Sequence, residues 1–69
     1  MILEQIEAFL KSLEEKEIIN PTVYEEENVR IRTLAYNMRK IHNLSDEEIQ
    51  QALEFELRKL KKRYPEGED

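Results

Sequence analysis

Between Ile2 and Leu13 the apolar residues Ile2, Leu3, Ile6, Phe9, Leu10 and Leu13 recur at three- and four-residue intervals. Plotted at about 100° per residue they fill one stripe roughly 120° wide, the mark of an amphipathic helix. Glu17 lands on that stripe and Ile18 and Ile19 fall out of phase, so the pattern predicts a first helix over 2–17. Asn20-Pro21 follows as a turn. Proline suits the first turn of a helix and pushes the residue before it out of the α region, which makes Asn20 an N-cap and Pro21 the first helical residue. Ile19 and Tyr24 then form a hydrophobic staple; Thr22 with Glu25 is a competing capping box.

The second helix is predicted over 21–42, with Ile31, Leu34, Ala35, Met38 and Ile41 as its inward arc. A third start is written twice in Leu44-Ser45-Asp46-Glu47-Glu48-Ile49: Ser45 and Glu48 make a capping box, and Leu44 and Ile49 a staple. From there Ile49, Ala52, Leu53, Leu57, Leu60 and Tyr64 keep helical spacing, predicting a helix over 46–64. Short links force neighbours to run in opposite directions. The expected fold is therefore all-α, a small antiparallel three-helix bundle forming one domain over 1–64, followed by a disordered acidic tail over 65–69.

Composition narrows the class of protein. At 69 residues the core is small and its stability marginal or shared with a partner, so a homodimer is expected. The absence of cysteine removes disulfides and thiolate metal sites and makes the cytoplasm the default location. No apolar run is long enough for a membrane span or a signal peptide, so the mature chain is expected to begin at Met1.

Charge is arranged in blocks within an acidic chain of formal net charge -5. Residues 1–28 hold eight acids and two bases, and residues 29–44 hold four bases and no acid. Acids near helix starts and bases near helix ends complement the helix macrodipole, which covers most of this pattern. A nucleic-acid site would have to use Arg30, Arg32, Arg39 and Lys40 with the cluster Arg58, Lys59, Lys61, Lys62 and Arg63. Against it, a helix-turn-helix would drive Asp46, Glu47 and Glu48, or Glu25, Glu26 and Glu27, toward the phosphates. The 58–63 bases also encircle their helix instead of lining one face.

Nothing in the chain assembles catalytic chemistry. His42, the only histidine, falls at the end of the second helix, where a cation suits the dipole. Ser45 is committed as a cap, no Glu-x-x-His pair occurs, and the lone glycine, Gly67, lies in the tail. No enzyme, cofactor, metal or small-molecule substrate is expected. Glu56 falls between Ala52 and Leu60 on the apolar arc. It either pairs with a base of a neighbouring helix or marks the edge of the stripe, the second being favoured by how seldom carboxylates are buried.

Val29 and Tyr36 lie seven residues apart, nearly opposite the inward arc of their helix, and are flanked by Arg32, Thr33 and Lys40. Phe55 stands off the arc of the third helix in the same way. These six residues are the expected protein interface, leaving open whether the second apolar face meets another molecule or is buried within the chain. The function expected is a non-enzymatic protein-interaction module, a regulatory or assembly subunit; the alternative is a small nucleic-acid-associated factor. The Glu-rich arc of residues 4–17 offers the acidic counterpart for self-pairing.

Overall fold

A computed structural model of the chain describes residues 2–67. Three helices form, α1 (Ile2–Glu15), α2 (Pro21–Lys40) and α3 (Asp46–Arg63), and each packs on the other two. A one-turn 3₁₀ helix, η1 (Pro65–Gly67), closes the described chain. The all-α three-helix bundle read from the periodicity is the observed fold, with helix ends one to two residues inside those predicted.

Contacts between the helices define their directions. Glu27 with Arg63, Arg30 with Glu56 and Arg39 with Asp46 run α2 against α3 in opposite senses. Glu7 with Arg32 and Lys11 with Tyr24 do the same for α1 and α2.

The helix starts follow the capping chemistry. Asn20 is extended and accepts a 2.8 Å bond from the Val23 amide, with Pro21 opening α2, so Thr22 is not the cap. Ser45 and Glu48 form the reciprocal box: the Glu48 amide donates to Ser45 Oγ at 3.2 Å, and the Ser45 amide to Glu48 Oε1 at 2.9 Å. Those bonds hold the Glu48 carboxyl below its ordinary pKa, the backbone bond contributing most.

The helix ends use left-handed residues. Glu17 has φ of 60°, the Ile18 amide bonds to Leu13 O and the Glu17 amide to Glu14 O. These are the two bonds of a Schellman motif, and they bring Ile18 and Ile19 back under α1, where Ile19 is buried. Asn43 takes φ of 54° after α2, where the His42 amide reaches Asn37 O and the Leu44 amide reaches Met38 O. Ile41 is the C-cap of α2, its backbone still helical and its amide bonded to Asn37 O. Placed in the core by periodicity, Ile41 is instead 68% exposed.

The tail also departs from expectation. Residues 65–67 are not disordered: η1 seats Gly67 against α1, and Lys16 Nζ donates to its carbonyl. A methyl group added at Gly67 would overlap Leu13 Cδ2 and press on the Phe9 ring, so a larger residue there requires those side chains or η1 to shift. Residues 68 and 69, also read as tail, lie outside the described residues.

The core is built unevenly. Ile6, Leu10 and Leu13 come from α1, and Ile49, Leu53, Leu57 and Leu60 from α3. Of the twenty residues of α2, the longest helix, only Ile31 and Met38 are buried. Val23, Tyr24, Leu34 and Ala35 of α2 pack against that core half-buried.

Candidate interaction surface

Outward on α2 stand Val29 and Tyr36, 56% and 62% exposed, with Thr33 and Lys40 exposed beside them. Seven residues is two helical turns, so the two apolar side chains lie one above the other. Neither is buried within the chain. Tyr36 also stands at the rim of a groove of about 340 Å³ at the bundle end. Ile2, Leu3, Ala35, Ile49 and Leu53 give that groove apolar walls, and Arg39 bonded to Asp46 frames it.

Arg32 belongs to this region but is not free. Its guanidinium bonds to the Glu7 carboxylate of α1, so part of the Glu-rich arc is already engaged within the chain. Phe55, 55% exposed, stands apart on α3 and does not line the groove. Lys59 Nζ lies 5.1 Å from its ring centroid and the Arg58 guanidinium carbon 6.0 Å, a covering of cations over an aromatic face.

The seam between α2 and α3 holds the charge cluster that spacing alone did not assemble. Glu56 is buried, 7% exposed, and accepts from Arg30 Nη1 at 2.9 Å while Lys59 Nζ lies 2.5 Å from its other oxygen. It pairs with a neighbouring helix and is not merely the edge of a stripe. Arg30 Nε donates to Glu27 at 2.7 Å, and Arg63 lies 3.6 Å from the same carboxylate. Burial pushes the Glu56 carboxyl upward, but the bonds and charges of Lys59 and Arg30 outweigh it and hold the group below its ordinary pKa. The sequence signal was a carboxylate in an apolar arc; its partner could be found only from the helix register.

This cluster bears on the nucleic-acid alternative. Arg30, Arg32, Arg39, Lys59 and Arg63 each hold a carboxylate of their own chain, and Arg58 covers Phe55. Lys40, Lys61 and Lys62 complete that set without forming one face, being spread over two helices. His42 is exposed beyond the end of α2. Among the described residues no cluster of three metal-ligating side chains forms, and no helix is long and apolar enough to cross a membrane.

Compared with protein-family models, curated proteins and solved structures, the chain matches none of them.

Proposed function

We propose that the protein is a non-enzymatic helical interaction module, a regulatory or assembly subunit of the cytoplasm, working through the outward face of α2. The observation that carries this reading is the exposure of Val29 and Tyr36 on the helix that contributes least to the core. Two apolar side chains stacked on one exposed face give a partner a patch to cover, and tyrosine offers it a rigid apolar area with a polar tip. Lys40 and Arg32 form the rim of the face, with Thr33 between. Phe55 makes a second, smaller contact under its cations. A homodimer is the simplest assembly, because a symmetric interface covers the same patch twice.

The deciding experiment is the double variant Val29→Ser, Tyr36→Ser, followed by sedimentation equilibrium and circular dichroism. Association should weaken by about 2 kcal/mol or more while helicity survives. Undiminished association would overturn the reading. Binding to duplex and single-stranded oligonucleotides at two salt concentrations serves as the contrast, since phosphate contacts produce a steep salt dependence. The internal pairing of most of the bases argues that none will be seen.

A further inference from the structure

The outward face of α2 has a property that its apolar residues alone do not show: it is complementary to its own reverse. Turned end for end about a point midway between residues 32 and 33, Val29 falls on Tyr36 and Glu25 on Lys40. We propose that two copies of the chain pair through antiparallel packing of their α2 helices, about a two-fold axis passing between Arg32 and Thr33. This deepens the reading of the outer face as an interface and rests on it.

The charges supply the argument for a second copy as the occupant. The first turn of α2 carries no acid; its acids begin at Glu25, beyond the reach of the helix dipole. Glu27 is used within the chain, bonded to Arg30 and close to Arg63. Among the described residues none pairs with Glu25, Glu26 or Lys40. An unpaired acid at one end of an apolar pair and an unpaired base at the other are what an antiparallel copy satisfies, twice. Parallel pairing would set Glu25 against Glu25 and Lys40 against Lys40, and is repelled. A shallow hollow of about 370 Å³, bounded by Pro21, Thr22, Glu25 and Glu26, is the seat for the Lys40 side chain of the other copy.

The axis itself is prepared in the same way. Two arginines meeting there would repel each other, but each Arg32 is drawn aside and neutralised by Glu7 of its own α1. Thr33, small and uncharged, is left at the crossing, where two helices approach to about 8 to 10 Å between axes.

Cysteine scanning tests the register directly, since the chain contains no cysteine of its own. Across this axis two copies of residue 33 are offset by about 1.5 Å along the helix, two of residue 29 by about 10 Å and two of residue 40 by about 22 Å. A disulfide needs Cα atoms within about 7 Å. Under mild oxidation Thr33→Cys should therefore form a linked dimer at least about tenfold faster than Val29→Cys or Lys40→Cys. An equal mixture of Glu25→Cys and Lys40→Cys should link into mixed dimers. Lys40→Glu should weaken association about tenfold in sedimentation, and mixing it with the Glu25→Lys variant should restore it. If Lys40→Cys or Val29→Cys links to itself as fast as Thr33→Cys, the register is overturned. The outer face then still stands as an interface provided Val29→Ser, Tyr36→Ser abolishes association. A dimer indifferent to that double variant overturns both readings. A monomer up to millimolar concentration overturns the pairing alone and leaves the face to a different partner.

Discussion

On the side of α2 that meets α3, Arg30 is bonded to Glu27 and Glu56, and Lys59 completes the set. Ten residues or fewer from Arg30 on the outward side of the same helix, Glu25, Glu26 and Lys40 carry the same kinds of charge and pair with none of the described residues. The residue types do not separate the two sides; the partners do. A charge paired across a seam fixes how two helices of one chain lie together, because misalignment leaves a buried carboxylate unmet. A charge left open on a surface is available to select a partner and its orientation. Apolar residues divide likewise, Ile31 and Met38 buried inside and Val29 and Tyr36 in water outside.

The contrast breaks most sharply with apolar truncation. Leu53→Ala, deep in the core, should cost about 2 to 5 kcal/mol in urea unfolding. Tyr36→Ser should change monomer stability by no more than about 0.5 kcal/mol and act on association instead. Equal losses would mean that the two sides of the bundle are not distinct.

Charge removal is next in size. Arg30→Ala leaves Glu56 buried with Lys59 alone and should cost about 1 to 3 kcal/mol, whereas Lys40→Ala, having no partner to strand, should cost about nothing in the monomer. Acid sharpens the same point. The Glu56 pKa is depressed in the folded state, so its contribution is full above the ordinary carboxylate value and is lost as pH falls through the folded one. The stability gap between the native chain and Glu56→Gln should therefore narrow below about pH 4 in denaturant titrations.

Helix ends give the smallest effects. Ser45→Ala should cost about 1 kcal/mol through loss of the cap, seen in the urea midpoint. Glu17→Gly should stabilise the fold by less than about 1 kcal/mol, seen as a small rise in that midpoint, since glycine relieves the left-handed strain while loosening the unfolded chain.

Helix starts were legible because their signals are local: Asn20-Pro21 and Ser45 with Glu48 each act within four residues. Helix exits were less so. Periodicity continues through Ile41 although that residue is already the C-cap of α2 and lies in water, and Ile19 falls out of phase because the Schellman turn that buries it is written in backbone conformation. The outward positions of Val29, Tyr36 and Phe55 followed from angle alone. Which bases were open did not, because Arg30, Arg32 and Arg39 are neutralised by residues as distant in sequence as Glu56 and Glu7. Gly67 resembled tail until its neighbours were known, since close approach leaves no trace in a lone glycine.

That glycine ties the two ends of the chain into one opening event. Its seat exists only while Phe9 and Leu13 hold their places in α1, and the Schellman exit of α1 begins at Leu13 itself. Fraying of the last turn of α1 removes the floor under η1, and lifting η1 uncovers the apolar side of Leu13. In hydrogen exchange the amides of Ile18 and Gly67, almost fifty residues apart, should report a common opening free energy. Gly67→Ala, by holding η1 off its seat, should speed exchange at Ile18 without touching that residue.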